Sequence, residues 1–140
     1  MLELWRAEAG AEERVKRAEQ LFDHQVDLEA TRRFLANKVN ELLIAYVDGE
    51  PAGFVSANEL THPDHAQPEL FLNELGVVEA HRGHGIGRAL VQRLWEIARE
   101  RGCRGMWVLT DDDNVAANRV YAAAGGTRAG AEVMYQWGEG

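Results

Sequence analysis

The sequence predicts one α/β domain in which helices pack on a mixed central sheet. Its 140 residues suit a single hydrophobic core. Apolar runs of strand length alternate with amphipathic stretches in the order β-α-α-β-β-β-α-β-α-β. No internal repeat, low-complexity tract or Pro/Gly/Ser-rich linker interrupts this order. We therefore predict one domain over residues 1–140.

The N-terminal half is predicted to form a strand, two helices and a hairpin. The strand is LELWRAE (2–8), and the first helix is AEERVKRAEQLF (11–22), whose apolar residues recur at helical spacing. The second helix, LEATRRFLANK (28–38), follows Asp27, a residue type that caps helix N-termini. The hairpin is ELLIAYVDGEPAGFVSANEL (41–60), with Asp-Gly as its turn.

The C-terminal half continues the alternation around a long amphipathic helix. A polar loop, THPDHAQPE (61–69), precedes a third long strand, LFLNELGVV (70–78). Apolar residues recur every four positions from Ile86 to Ala98, which predicts a helix that ends at Gly102. The remaining predicted elements are a buried strand, RGMWVLT (104–110), an alanine-rich helix, NVAANRVYAAAGG (114–126), and a final strand, AEVMYQW (131–137).

Charge and composition argue against several classes of function. The 15 basic and 23 acidic residues leave a net charge of −8, which disfavours DNA or RNA as a partner. An acidic surface attracts cationic partners, and the alternative is that the charge only keeps a small protein in solution. No stretch approaches the ~20 apolar residues that span a bilayer, and MLELWRAEAG does not resemble a secretory signal. The one cysteine, Cys103, cannot form an internal disulfide. We expect a cytoplasmic protein that binds neither nucleic acid nor membrane.

A glycine-rich stretch, HRGHGIGRAL (81–90), lies between a predicted strand and the long helix. It lacks the Lys-Ser/Thr of a P-loop, and its G-x-G-x-G spacing differs from the G-x-G-x-x-G of a dinucleotide-binding fold. What remains is an R-x-x-G-x-G pattern, Arg82 to Gly87, at a helix N-terminus. Such glycines let the backbone approach a diphosphate, whose charge is stabilised by free N–H groups, the helix dipole, Arg82 and Arg88. The alternative is a tight turn without a ligand.

This pattern resembles the acyl-CoA loop of the GCN5-related N-acetyltransferases, the GNAT family. A second signature agrees with it: Asn114-x-x-Ala117-x-x-x-Tyr121-x-x-x-Gly125, one helix and one strand further on. The resemblance implies a fold with a bulged, splayed fourth strand and acetyl-CoA as the cofactor. The residues that it assigns to CoA are Leu75, Gly76, Val77, Arg82, Gly83, His84, Gly85, Ile86, Gly87, Arg88, Asn114, Ala117 and Tyr121.

Acetyl transfer to an amine requires a proton acceptor, a proton donor and a group that stabilises the developing oxyanion. Glu74 is the base candidate, because it is a carboxylate in an otherwise apolar run where we expect partial burial. A solvated glutamate or a substrate anchor is the alternative. The resemblance implies that Tyr121 protonates the CoA thiolate and that the Leu75 N–H binds the oxyanion. Gly76 fits the bulge, because glycine inside a strand often marks one.

Five further segments resemble the aminoglycoside 3-N-acetyltransferases of the type I group. They are LFDHQVDLEATRRFLA, THPD, FLNELGV, MWVLTDDDN and YAAAGG. This narrower resemblance implies acetylation of an aminoglycoside at its 3-N position by direct transfer through a ternary complex. Acids on the acceptor side would bind the polycationic substrate, although solvated loops and helix caps are alternative roles for them. These acids are Asp23, Asp27, Glu29, Asp64, Glu74, Asp111, Asp112 and Asp113.

Two other functions remain open. The acceptor could be another amine, such as a polyamine, an amino sugar, an amino acid, or a protein N-terminus or lysine, or the domain could bind acyl-CoA without catalysis. Most family members end in two strands after the last helix, whereas only 131–137 has the length and pattern here. This suggests a homodimer that covers or shares the segment. We expect no metal site, because His62 and His65 lack a third ligand.

Overall fold

Five strands form one mixed sheet in the computed structural model, which describes residues 1–139. They are β1 (Leu2–Arg6), β2 (Asn40–Val47), β3 (Glu50–His62), β4 (His65–Val77) and β5 (Gly105–Trp107). The strands lie in chain order, with antiparallel pairs from β1 to β4 and a parallel β4–β5 pair. The predicted α/β fold with a mixed sheet is therefore confirmed.

Four helices cover the two faces of this sheet. They are α1 (Glu12–Lys16), α2 (Leu28–Ala36), α3 (Ile86–Glu100) and α4 (Val115–Ala123). The first two helices pack in one apolar cluster with Ile44 and Phe54, and the last two pack in a second cluster with Val55 and Leu72. Because successive strand residues point to opposite faces, these clusters define an α1/α2 face and an α3/α4 face. Among the described residues, no helix is long and apolar enough to cross a bilayer.

Three local signals in the sequence have the predicted effect. Asp48 and Gly49 both have positive φ, 50° and 83°, as the tight turn between β2 and β3 requires. Asp27 caps α2, because its Oδ1 accepts a hydrogen bond of 2.8 Å from the Ala30 N–H. Gly102, with φ 77°, follows the last turn of α3 and ends that helix.

A buried ion network fixes the C-terminal end of α3 to the sheet. The Glu41 carboxylate on β2 is buried and accepts hydrogen bonds of 2.9 and 2.7 Å from Arg6. Arg101, just after α3, also donates to Glu41, and its Nε donates to Glu59 at 3.1 Å. Because every charge in this group has a partner, its burial is tolerated, and α3 is held in one orientation against β2 and β3.

A β-bulge at Asn73 reverses the alternation of β4. Leu72 pairs with Ala57 and Glu74 pairs with Ser56, so Asn73 is the extra residue. Leu75 therefore returns to the α3/α4 face, whereas Glu74 turns to the α1/α2 face. The predicted bulge exists, but its assignment to Gly76 was wrong. Gly76 pairs in register with Phe54, and a Cβ at Gly76 would lie 2.9 Å from the Phe54 ring, so close packing requires the glycine.

The pairing of β4 with β5 is short, and the two strands then separate. It joins residues 69–71 to residues 105–107, whereas β4 continues to Val77. The predicted strand over 104–110 is therefore only three residues long, and Val108 to Thr110 do not continue it. The splay that the family resemblance implied is present. We call the side of residues 72–77 that β5 leaves uncovered the open edge of β4.

Two predicted boundaries differ from the structure. The first helix, 11–22, ends at Lys16 and is followed by a separate 3-10 turn, Glu19–Leu21. The Glu19 carboxylate accepts a hydrogen bond of 3.1 Å from the Val26 N–H, which ties the chain into a turn instead of a longer helix. The polar stretch 61–69 is not a loop, because His62 pairs with His65 and extends the β3–β4 hairpin. The paired strands satisfy each other's backbone N–H and C=O groups, so the hairpin can form without apolar side chains.

The predicted final strand, 131–137, is absent among the described residues. Its backbone forms no ladder, because β5 ends at Trp107 and offers this segment no neighbour. Large apolar side chains in the segment are exposed instead: Val133, Met134, Tyr135 and Trp137. A strand requires a partner for its backbone groups, and the described chain supplies none here.

Candidate functional site

The glycine-rich stretch forms a turn that leaves the N-terminus of α3 open. β4 ends at Val77, a 3-10 turn follows at Glu79–His81, and residues 82–85, here called the glycine turn, lead into α3. Gly83 and Gly85 have φ of 81° and 80°, and a Cβ at either position would meet nothing within 4 Å. No side chain caps α3, so the N–H groups of its first turn have no acceptor from a capping residue. The turn therefore has space and free donors for an anion.

Two arginines give this turn a positive charge in an acidic protein. The Arg82 Nε donates to the Val77 carbonyl at 3.1 Å, which ties its guanidinium to the end of β4. Arg88 lies in the first turn of α3 and is exposed. Neither arginine has an ion-pair partner within residues 1–139. Together with the helix dipole, they make the glycine turn suitable for a diphosphate.

The other predicted members of the turn contribute in different ways. His84 is exposed, with its Nδ1 3.2 Å from the His81 carbonyl. Ile86 is buried in the α3/α4 core, so only its backbone can face a ligand. Gly87 is also buried, and a Cβ there would lie 3.2 Å from Val120 of α4. The absence of a side chain at Gly87 thus lets α4 approach α3, which the sequence did not indicate.

The start of α4 is built by two asparagines. Asn114 Oδ1 accepts a hydrogen bond of 3.1 Å from the Ala117 N–H and caps the helix, so its amide nitrogen stays available for a ligand. Asn118 Nδ2 donates to the carbonyls of Asp111 and Asn114 at 3.0 and 2.8 Å. Asn118 was not predicted as a site residue, yet it fixes the turn that positions Asn114.

Tyr121 lies one helical turn further along α4 and is partly buried against the α3/α4 core. Burial raises the pKa of its hydroxyl above the ordinary value of 10.0, because the charged phenolate is poorly solvated there. The hydroxyl has no hydrogen-bond partner within residues 1–139. A neutral phenol without a partner is suited to donate a proton to a leaving group.

The open edge of β4 joins these parts. The side chains of Leu75 and Val77 pack against the α3/α4 core, so these residues can offer only backbone groups to a ligand. Gly76 lies between them, against Phe54. A Cβ added at Gly76 would lie 3.8 Å from the carbonyl oxygen of Leu21. Because β5 does not cover this edge, peptide-like groups of a ligand can pair with it.

Glu74 is exposed, contrary to the expected partial burial. The bulge at Asn73 directs it to the α1/α2 face, away from the α3/α4 core. The Ser56 side chain, directly opposite on β3, is buried, and Ser56 was not among the predicted site residues. The sequence contains a signal for this arrangement, since core residues Leu70 and Leu72 are followed by Leu75 and Val77, a break in the period of two.

The predicted acceptor acids divide into available and occupied groups. Asp23 is exposed, and the ring of its neighbour Phe22 packs at a tilt against Phe54, with centroids 4.5 Å apart. Because the Phe54 ring also contacts Gly76, the chain before α2 lies close to β4. Asp27 caps α2, and Glu29 pairs with Arg32, which lowers the pKa of the Glu29 carboxyl. These two acids therefore have structural partners.

The remaining acids lie at two different places. Asp64 is in the tip of the β3–β4 hairpin, roughly 30 Å from Glu74 at ~3.3 Å per residue, so the structure does not bring it to the site. Asp111, Asp112 and Asp113 are exposed before α4, and Asp112 pairs with Arg128 at 2.7 Å. Within residues 1–139, no three His, Cys, Asp or Glu side chains are grouped to hold a metal ion.

Comparison with known proteins identifies the relatives of this arrangement. The model of the acetyltransferase (GNAT) family matches residues 2–125. N-acetyltransferase family 8 member 2 of Rattus norvegicus is 28% identical over 106 residues, 76% of this chain and 47% of that protein. The chain thus spans about half the length of the curated relatives it matches.

Two solved structures have a similar fold. An aminoglycoside acetyltransferase, meta-AAC0020, from an uncultured soil metagenomic sample, in complex with sisomicin, has a TM-score of 0.89 at 16% identity. The alignment covers 98% of this chain and 95% of that one. AAC(6')-Iy in complex with the bisubstrate analog CoA-S-monomethyl-acetylneamine has a TM-score of 0.80 at 21% identity, with 98% of both chains covered. At these identities the likeness concerns the fold.

We predict that Gly85→Val removes CoA binding. A β-branched residue is strained at φ 80°, and its side chain would occupy the space in front of the α3 N-terminus. Calorimetric titration should show CoA affinity reduced at least about a hundredfold, the loss expected when several charge-assisted bonds are removed.

The matched control is Gly102→Val at the other end of α3. Gly102 has a similar φ of 77° and an equally open surrounding, so the strain and the fall in Tm should be comparable. CoA affinity should be retained, because the 15 residues of α3 separate the two glycines by roughly 22 Å. Equal CoA affinity in both variants would contradict the assignment of the glycine turn.

Proposed function

The chain belongs to the acetyltransferase (GNAT) family, and on that premise we propose that it transfers the acetyl group of acetyl-CoA to the amine of a cationic small molecule. The observation that carries this proposal is the open edge of β4, residues 72–77, which a short 3-10 turn connects to the glycine turn. A backbone edge that leads into an anion-binding turn suits a ligand with amide groups in one part and phosphates in another.

The binding residues have separate tasks along this ligand. The N–H groups of Gly83, Gly85 and the first turn of α3 bind the diphosphate, together with Arg82 and Arg88. The backbone groups of Leu75 and Val77 point to the open edge and bind the amide groups, whereas those of Gly76 between them face β3. His84, Ile86 and Gly87 contribute backbone donors. The free amide nitrogen of Asn114 and the first turn of α4, at Ala117, contact the ligand from the side of α4.

The transfer step requires one proton to leave the amine and one to reach the departing sulfur. Bound acetyl-CoA supplies an activated acetyl group as a thioester. Glu74 accepts the amine proton, and the Leu75 N–H stabilises the negative charge that develops on the acetyl oxygen. Tyr121 donates its phenolic proton to the thiolate, and its burial, which raises the pKa of the hydroxyl, keeps that proton in place until the transfer.

The buried cysteine supports direct transfer through a ternary complex. Cys103 is buried, and burial raises the pKa of its thiol above the ordinary value, so the nucleophilic thiolate is disfavoured. A covalent acyl-cysteine step would need an accessible thiolate beside a base. The amine therefore attacks the acetyl group itself.

For the acceptor, we propose an aminoglycoside acetylated at its 3-N position. The net charge of −8 and the exposed Asp23, Glu74, Asp111 and Asp113 favour a polycation. The structural neighbours bound to sisomicin and to a neamine analog support the same substrate class. An alternative is another amine: a polyamine, an amino sugar, an amino acid, or a protein N-terminus or lysine. A non-catalytic acyl-CoA-binding module is a third candidate.

We also propose a homodimer located in the cytoplasm. The exposed apolar residues of 131–137 and the uncovered outer side of β5 are features that a second copy would bury. Trp107 on β5 and Leu109 just beyond it are further exposed apolar residues that a second copy could bury. The lone buried Cys103 agrees with a reducing compartment.

The acceptor proposal is tested by thiol release from acetyl-CoA with a panel of amines. The panel contains gentamicin, sisomicin, spermidine, amino acids and peptides with a free N-terminus or lysine. We expect rapid release at micromolar aminoglycoside, mass and NMR spectra that place the acetyl group on the 3-amine, and strongly reduced release by Glu74→Gln.

Each other outcome excludes one candidate. Release with a different amine contradicts the aminoglycoside assignment but keeps the acetyl transfer. CoA binding without release on any amine supports the non-catalytic module. Acetylation at another amine of the aminoglycoside contradicts the 3-N position alone.

Tyr121→Phe should lower kcat about a hundredfold and leave CoA affinity unchanged, because only the proton donor is lost. In the wild type, kcat should not fall through Tyr121 ionisation below about pH 10, since burial favours the neutral phenol. Tyr135→Phe, at an exposed tyrosine of the C-terminal segment, is the control. A loss of CoA affinity in Tyr121→Phe would assign Tyr121 a structural role instead.

A further inference from the structure

Ser56 carries a buried hydroxyl that nothing in the described chain satisfies. The residue is 6% exposed, and its Oγ has no hydrogen-bond partner within residues 1–139. The other buried polar residue of the sheet, Glu41, is fully paired with Arg6 and Arg101. Buried hydroxyls without partners are rare because each has lost its hydrogen bonds to water, so an unpaired one requires an explanation.

The position of Ser56 in the sheet supplies one. Ser56 on β3 pairs directly with Glu74 on β4, immediately beside the bulge at Asn73. Directly opposite residues of antiparallel strands share a face, with Cβ atoms about 4.5–5.5 Å apart. Both side chains therefore lie on the α1/α2 face, within reach of a hydrogen bond.

Glu74 also has no partner. Its carboxylate forms no hydrogen bond or ion pair within residues 1–139, and the side chain is exposed. A glutamate on an open surface samples many rotamers, so it loses side-chain entropy when it is held over a reacting amine. A single donor beneath it would restrict that motion.

We propose that the Ser56 hydroxyl donates a hydrogen bond to the Glu74 carboxylate when the acceptor is bound and so fixes that carboxylate beside the open edge of β4. The hydroxyl keeps its proton, and the second carboxylate oxygen accepts the proton of the amine. Ser56 is thus a positioning residue that acts through Glu74. This inference rests on the proposed function, because Ser56 positions Glu74 only if Glu74 is the base.

The bulge explains why this pair exists at all. If Asn73 continued the regular ladder instead of forming a bulge, Asn73 would pair with Ser56, and Glu74 would point to the α3/α4 face. The bulge therefore places Glu74, and not Asn73, opposite the Ser56 hydroxyl. The Ser56 side chain is itself buried, and a hydrogen bond that it forms away from water is stronger than one in open solvent.

The primary test is Ser56→Ala, assayed with the amine that the wild type acetylates best. We expect kcat to fall about tenfold, KM for acetyl-CoA to stay within about twofold, and Tm to be unchanged or higher, since an unsatisfied hydroxyl is removed. Ser56→Thr keeps the hydroxyl and should retain most of kcat. Thr61→Ala, an exposed hydroxyl on the same strand, is the control and should behave as the wild type.

A double-mutant cycle with Glu74→Ala separates positioning from a merely structural role. If Ser56 acts through Glu74, Ser56→Ala should change kcat less than about twofold in the Glu74→Ala background. A tenfold loss that persists in that background would overturn the inference, and so would an unchanged kcat in Ser56→Ala alone. If none of the amines tested supports thiol release by the wild type, the proposed function fails. If the wild type is active and Ser56→Ala equals it, this inference alone fails.

Discussion

The separation of β4 from β5 after three paired residues is the constraint on which the rest of the site depends. Backbone N–H and C=O groups in a sheet need partners, and the open edge of β4 leaves such groups without a neighbouring strand. A ligand with amide groups can satisfy them as an additional strand would. On the same face of the sheet, α4 packs against α3, and Val120 and Tyr121 contact the α3/α4 core to which Leu75 and Val77 also belong.

The bulge at Asn73 then determines to which face of the sheet each side chain of β4 points. Before the bulge, Leu70 and Leu72 pack into the α3/α4 core, and after it Leu75 and Val77 do so. Glu74 is thereby placed on the opposite face, next to Ser56. The bulge keeps the core continuous and still presents a carboxylate on the α1/α2 face, where Phe22 packs against Phe54.

Local signals predicted much of the fold, because they act over a few residues. The Asp48-Gly49 turn, the Asp27 cap and the glycine turn depend only on neighbours in sequence. Gly76 was misread because its reason is a distant ring, Phe54, which no local pattern reveals. Segment 131–137 has strand character, but pairing depends on a neighbour that the described chain lacks. The distance between Asp64 and Glu74 could not be predicted either, because it depends on how far β4 extends.

Hydrogen–deuterium exchange of the protein with and without CoA tests the central claim most directly, namely that the open edge of β4 and the glycine turn bind one ligand together. The account predicts that CoA slows exchange at residues 72–77 and 83–88, while β2, whose backbone is already paired on both sides, is unaffected. Protection confined to the glycine turn, with residues 72–77 exchanging as before, would contradict the role of the open edge.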